Sequence, residues 1–201
     1  MNTPARSLAC ALFFALGALA TGASPARVPD DLPLDAVKWT GGFWQDRMQR
    51  LRDIHLPGVL DGSFMSFENG STFLNLLRAA RLEKGGAQGS TWSDGDCYLV
   101  LDTVARLQAH RPDGYLKSQL DRWISIIARI QLDDGLVDSW TVLGEFDATH
   151  GKPWRWQIKK GERFHGALHY NTGSLCAFAS TLQRAPGDGR ALAIADRAVR
   201  G

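Results

Sequence analysis

Apolar positions beyond residue 96 recur with a helical period. Cys97, Val100, Leu101, Val104 and Leu107 are spaced 3, 1, 3 and 3, which predicts a helix from Asp96 to about His110. The chain then turns at Arg111-Pro112-Asp113-Gly114. Beyond it Leu116, Leu120, Trp123, Ile127 and Ile130 keep the spacing of a helix lying along a neighbour, to about Gln131. Two such stripes joined by a short Pro/Gly turn make an antiparallel helical hairpin. The stretch Trp92-Ser93-Asp94-Gly95-Asp96 precedes the first helix, so its acidic loop sits at the mouth of the hairpin, where the helix N-terminus points.

The rest of the chain follows the same grammar. Val37 to Trp44 is a Gly-rich aromatic entry into a helix carrying Trp44, Met48, Leu51 and His55. That helix is expected to stop at Pro57, and its outer face is basic, with Arg47, Arg50 and Arg52. Gly58 to Gly70 is expected to be a loop. A helix follows from Ser71 to Lys84, with Ser71 or Thr72 as N-cap, Phe73, Leu74, Leu77 and Ala80 on its buried face, and Gly85-Gly86 ending it. Asp133-Asp134-Gly135 closes the hairpin, and Leu136 to Leu143 is short and strand-like, expected to be extended. Gly144 to Arg163 is a long polar loop holding Trp154-Arg155-Trp156 and Lys159-Lys160. A helix from about Phe164 to Arg184 carries His165, His169, Leu175, Phe178 and Leu182. After the turn at Ala185 to Gly189 the last helix runs from Arg190 to Arg200. The expected class is therefore all-α, built of successive antiparallel pairs. Each pair has apolar residues on more than one side, more than 201 residues can surround, so the expected architecture is the N-terminal part of a larger helical toroid.

Composition adds bounds. With 44% hydrophobic and 22% charged residues the chain is neither disordered nor fibrous. Residues 1–24 resemble a secretory leader, with Arg6, an apolar run from Leu8 to Ala20, and a small-residue exit at Thr21-Gly22-Ala23. Residues 25–36 are expected to be a linker, and 37–201 the folded part. The formal net charge is +2; loss of Arg6 leaves 22 basic against 21 acidic residues, or +1. Neither a nucleic-acid footprint nor a polybasic membrane patch is present, and the apolar run is too short for stable membrane insertion. Export of the chain, to the periplasm or the medium, is the expectation. Cys97 and Cys176 remain after the leader; each sits among apolar helical neighbours, which favours two buried thiols over a disulfide. No cysteine or histidine spacing matches a zinc site, so no cofactor is expected in this chain.

Four groups could carry chemistry. Asp94 and Asp96 are two apart, so on a helix they do not face each other and make a poor acid/base pair. Asp94 would cap the helix and Asp96 meet its positive end, or either would accept from sugar hydroxyls. His165 and His169 are four apart, on one helical face. Gly166 stands where a metalloprotease has its glutamate, which leaves a polar contact to a sugar or carboxylate, or an ordinary histidine, beside a metal pair. Trp154 and Trp156 flank Arg155, and Trp92 lies in the acidic loop; each could stack on a sugar ring or pack on a rim. Lys159-Lys160 reads as a solvated pair.

Several segments in order resemble the six-hairpin glycosidases typified by β-L-arabinofuranosidases, glycoside hydrolase family 127. They are Gly42-Phe43-Trp44…Arg47, then Trp92-Ser93-Asp94-Gly95-Asp96-Cys97-Tyr98. They continue with Pro112-Asp113…Leu120-Asp121…Ile124…Ile127-Ala128…Gln131…Asp134-Gly135, and with Tyr170-Asn171-Thr172-Gly173. The resemblance covers about residues 37 to 201 and implies a partial (α/α)6 toroid with a carbohydrate substrate. It further implies retaining cleavage of a terminal sugar from a plant-type glycan, with a zinc-held cysteine thiolate and an acid/base glutamate located beyond this chain. This chain would then supply part of the sugar-binding wall: Trp92, Asp94, Asp96, His165, His169 and Tyr170. Two positions depart from the pattern: Ala167 stands for a histidine before the tyrosine, and Ser174 for the histidine after the glycine. Two other functions fit the residues, a non-catalytic helical carbohydrate-binding module and a toroid enzyme of the unsaturated glucuronyl hydrolase kind recruiting Asp94 or Asp96.

Overall fold

A computed structural model of the chain describes residues 32–60, 72–143, 167–185 and 187–200. The expected leader, most of the linker, the loop tryptophans Trp154 and Trp156, Lys159-Lys160 and His165 lie outside the described residues. Among the described residues of the unit Pro33–Gly201 the regular elements are all helical. They are α1 (Gly42–Arg50), a π-helical turn (Leu51–His55), α2 (Leu56–Leu60), α3 (Thr72–Ala79), α4 (Ser93–His110), α5 (Gly114–Ile130), α6 (Ser139–Leu143), α7 (Leu168–Arg184) and α8 (Arg190–Arg200). None of the described helices is long and apolar enough to cross a membrane.

The expected stripes of the hairpin are buried as the period demands. Cys97, Leu101, Val104 and Leu107 of α4, and Leu116, Leu120, Trp123, Ile127 and Ile130 of α5, all lie in the core, with Val100 half-buried. Trp123 packs on Phe73 of α3 with ring centroids 4.4 Å apart. Arg111 is extended ahead of Pro112, which stops α4. Asp113 starts α5, its carboxylate accepting from the Leu116 N–H at 3.0 Å. Burying one such side chain contributes roughly 1.5–3 kcal/mol before entropy is counted.

α4 and α7 run parallel. Gly95 meets Asn171 near their starts, and Arg106 donates to Thr181 Oγ1 near their ends. α5 and α8 also run parallel: Arg190 reaches Asp121, Gln131 Nε2 donates to the Ile194 carbonyl at 2.9 Å, and Arg197 donates to Leu132 O. Each helix of one hairpin thus lies along its equivalent in the other, in two layers, the repeat expected of a helical toroid.

Three element boundaries differ from expectation. Pro57 does not stop the first helix. The π-turn over Leu51–His55 widens the coil ahead of it, with the Leu56 N–H bonding back to Leu51 O, and α2 continues through the proline. Trp44 faces solvent while Met48 and Leu51 are half-buried against the core. α3 ends at Ala79, short of Gly85-Gly86. Arg81 takes the left-handed conformation at φ 61°, with the Leu82 N–H returning to Leu77 O and the Arg81 N–H to Arg78 O. That is a Schellman closure with arginine where glycine is usual. Arg81→Gly is therefore expected to stabilise the fold by roughly 1 kcal/mol, read as a raised denaturation midpoint. Finally, residues 139–143 form α6 and not an extended segment. Asp138 Oδ2 accepts from both the Thr141 N–H and its hydroxyl at 2.8 Å, and this cap starts a helical turn that β-branched composition alone does not announce.

Candidate functional site

The starts of α4, α6 and α7 meet at one end of the two layers, and buried polar groups join them. Asp94, Asp138, Ser139 and Asn171 have no exposed surface. Asp94 is in the first turn of α4, and its two oxygens accept from the Ser139 N–H and hydroxyl, each at 2.6 Å. Asn171 Oδ1 accepts from the Gly95 N–H at 3.0 Å. Its Nδ2 donates to Thr91 O at 2.9 Å and to Asp138 Oδ1 at 3.3 Å. Ser93 folds its hydroxyl back to Ser90 O, which also receives the Trp140 indole N–H. Low dielectric strengthens each bond and makes each loss costly.

Above this buried layer sits an exposed one. Tyr170, in the first turn of α7, lays its ring on Gly95: a Cβ there would fall 2.4 Å from Tyr170 Cε1 and 3.0 Å from Asn171 Oδ1. Glycine is required at 95 by this close approach. Tyr170 Oη donates to Asp96 Oδ1 at 2.9 Å. Burial and the neighbouring Asp96 carboxylate push the phenol up, while a hydrogen bond from Ser174 acts the other way. Trp92, the residue at the start of α4, is about half exposed.

The six expected site residues therefore separate. Asp96, Tyr170 and Trp92 are exposed around the start of α4. Asp94 does not cap α4; Trp92 holds that position without a side-chain bond, and the Asp94 carboxylate is buried against α6. Ser139 lies 45 residues away and could not be paired with it from local sequence. His169 is exposed in the first turn of α7, next to Tyr170; His165, its expected partner, lies outside the described residues. Asn171, Asp138 and Ser139 were not among the expected site residues. The motif Tyr170-Asn171 was the one signal available for Asn171.

Cys97 and Cys176 are unpaired. Cys97 is wholly buried, Cys176 half-buried. Burial first, then the Asp94 and Asp96 carboxylates, push the Cys97 thiol well up, and burial alone raises Cys176. Iodoacetamide applied to the folded protein is expected to mark Cys176 well before Cys97, as mapped on peptides by mass; equal rates would contradict this packing. Among the described residues no group of three histidines, cysteines and carboxylates could hold a metal ion.

The family model "Beta-L-arabinofuranosidase, GH127 catalytic domain" matches residues 36–200. The chain belongs to the GH127 family. The non-reducing end β-L-arabinofuranosidase of Bifidobacterium longum subsp. longum is 28% identical over 118 residues, covering 51% of this chain and 18% of that protein. The solved GH127 β-L-arabinofuranosidase Ara127N-Se from Geobacillus stearothermophilus T6 superposes with a TM-score of 0.62 at 24% identity, over 78% of this chain and 24% of its own. The GH127 β-arabinofuranosidase BT3674 gives 0.64 at 24% identity, over 83% of this chain and 26% of its own. The chain thus spans about a fifth to a quarter of the length of these relatives. The fold is all-α and corresponds to part of the GH127 six-hairpin toroid. Ser174, four residues after Tyr170 in α7, is buried.

Proposed function

We propose that this chain belongs to an exported glycoside hydrolase that removes a terminal β-L-arabinofuranosyl unit from a plant-type glycan, and that it supplies one wall of the sugar pocket. The observation that carries this reading is the family match over residues 36–200, taken with the gathering of Trp92, Asp96 and Tyr170 at one end of α4 and α7. A carboxylate accepts strongly from sugar hydroxyls, and an aromatic face suits the apolar face of the ring.

The bond-breaking groups are expected on other parts of the fold. A nucleophile of the zinc-thiolate kind does not fit the described residues: Cys97 is buried, its thiol is raised, and no metal-binding trio surrounds it. The residues here bind and orient. Buried Asp94, Asp138 and Asn171 fix the start of α4 against α6 and α7, and so set where Asp96 and Tyr170 stand.

The test is release of L-arabinose from an aryl β-L-arabinofuranoside by the whole hydrolase to which this chain is proposed to belong, made in its native host. Cleavage of other aryl glycosides in its place would overturn the sugar assignment, and cleavage of none would overturn the hydrolase. Sequencing the N-terminus of the protein recovered from the medium or periplasm tests the leader; a cytosolic protein beginning at Met1 would refute export.

A further inference from the structure

We propose that Asn75, on α3, is a positioning residue: its amide holds the backbone of Gln88 and so sets where Trp92 stands at the start of α4. The bearing of this on ligand binding rests on the reading of Trp92 as part of the sugar-binding wall; the placement itself does not.

The sequence around Asn75 is apolar. Its neighbours in α3 are Phe73, Leu74, Leu76 and Leu77, and asparagine is a weaker helix former than leucine. Asn75 has no exposed surface. A buried amide costs free energy unless its oxygen and its nitrogen are both bonded. Both are used, and on one residue outside the helix. Nδ2 donates to the Gln88 carbonyl at 2.8 Å, and Oδ1 accepts from the Gln88 N–H at 3.0 Å. An antiparallel strand partner would give Gln88 the same two bonds. The side chain of Asn75 therefore serves the loop and not its own helix.

That loop comprises residues 80–92, between α3 and α4, and it is tied on two sides. Towards α3, Arg78 Nη1 donates to the Gly86 carbonyl at 2.8 Å, and Ala87 packs half-buried on the core between that tie and Gln88. Towards the site, the Ser90 carbonyl accepts from the Ser93 hydroxyl at 2.7 Å and from the Trp140 indole N–H at 3.2 Å. The Thr91 carbonyl accepts from Asn171 at 2.9 Å. The second set joins the loop to α4, α6 and α7. Asn75 is the stiffer tie of the first set: a short side chain with two bonds to one residue loses less rotamer freedom than the long arginine beside it. From Gln88 to Trp92 the backbone can span at most about 14 Å, and Ser90 and Thr91 between them are themselves bonded. A shift of Gln88 therefore reaches Trp92 with little slack. Trp92 is about half exposed and gives α4 no side-chain cap, so the backbone ties on either side place it.

The test labels the full chain with 5-fluorotryptophan and compares wild type with N75L and N75A by fluorine NMR. The Trp92, Trp123 and Trp140 resonances are assigned by single replacement with phenylalanine. In N75L, which is close to the amide in size and makes neither bond, the Trp92 and Trp140 resonances should broaden or move by more than a linewidth. Trp123, packed on Phe73 of α3, should hold. Movement of all three would make Asn75 a general support of α3, and an unmoved Trp92 would mean that the clamp does not reach it; either overturns the proposal. Hydrogen exchange of the wild-type chain decides the clamp without a variant. The Gln88 amide should exchange at least about hundred-fold more slowly than in the unfolded chain, and exchange near the unfolded rate overturns the clamp. In the whole hydrolase, N75L should raise KM for the aryl β-L-arabinofuranoside by about three- to ten-fold with kcat changed by less than about two-fold. Cleavage with KM unchanged removes the bearing of Asn75 on binding. A wild-type hydrolase that cleaves no glycoside removes the hydrolase reading, and the Trp92 resonance still decides the placement.

Discussion

Gly135→Ala is expected to destabilise the fold by roughly 3–5 kcal/mol. Gly135 sits at φ 92°, where an L side chain costs about 1–2 kcal/mol. Space makes this worse. A Cβ there would fall 2.2 Å from the Arg197 carbonyl oxygen and 2.8 Å from its carbon, both backbone atoms of α8. A flexible side chain could swing away; a helix backbone cannot without moving the helix. The bonds that would move with it are those joining α5 to α8. Gln131 Nε2 donates to the Gly135 carbonyl at 2.8 Å and to Ile194 O at 2.9 Å, so one amide holds both the turn and α8. For a domain of this size the cost corresponds to a fall in Tm of about 10 °C. Gly173→Ala is the control: it lies in α7 with nothing within 4 Å of its Cβ, and should be neutral or stabilising by up to about 1 kcal/mol. Thermal melts of the two variants side by side decide the matter. A Gly135→Ala melt close to that of Gly173→Ala would mean that α8 does not lie against this turn.

The same contrast explains what was legible in the chain. The stripes of α4 and α5 were readable because burial repeats with the helical period, and Leu101, Val104, Trp123 and Ile127 lie where that period puts them. Helix ends were less so. Composition pointed to Gly85-Gly86 and Pro57, but α3 closes on left-handed Arg81, and a π-turn carries the first helix past its proline. Those outcomes depend on backbone geometry that residue type only biases. The site divides in the same way. The acidic loop was legible as polar groups at the start of a helix, and Asp96 and Tyr170 are exposed there and hydrogen-bonded to each other. The role of Asp94 was not, since its partner lies 45 residues on, and Asn171 spans 76 and 80 residues to reach Gly95 and Thr91. A spacing rule sees one helix face; it does not see which loop the fold brings against that face.

Asn171→Ala is expected to cost roughly 3–5 kcal/mol, because the side chain it removes has no apolar substitute. Asn171 is wholly buried and donates to Thr91 O and Asp138 Oδ1 while accepting from Gly95. Alanine leaves the Thr91 carbonyl and the buried Asp138 carboxylate each short of a donor, and opens a void that the packed starts of α4 and α7 cannot close. The effect should also reach the surface. Tyr170 is the preceding residue and its ring lies on Gly95, so a shift of either helix start should loosen its bond to Asp96. Asn171→Asp separates shape from chemistry, since it keeps the volume and removes the donor. It also adds a third carboxylate beside Asp94 and Asp138, whose repulsion and burial raise the new group's pKa in the fold above its unfolded value. A carboxyl group so raised penalises folding at neutral pH, and the penalty recedes as pH falls through the folded-state value and the protonated acid regains a hydrogen to donate. Denaturant midpoints measured against wild type from neutral pH towards pH 5 should therefore show the Asn171→Asp deficit shrinking while the Asn171→Ala deficit holds. If the two deficits stay parallel, the donors of Asn171 do not hold this end of the helices together, and its burial there is packing alone.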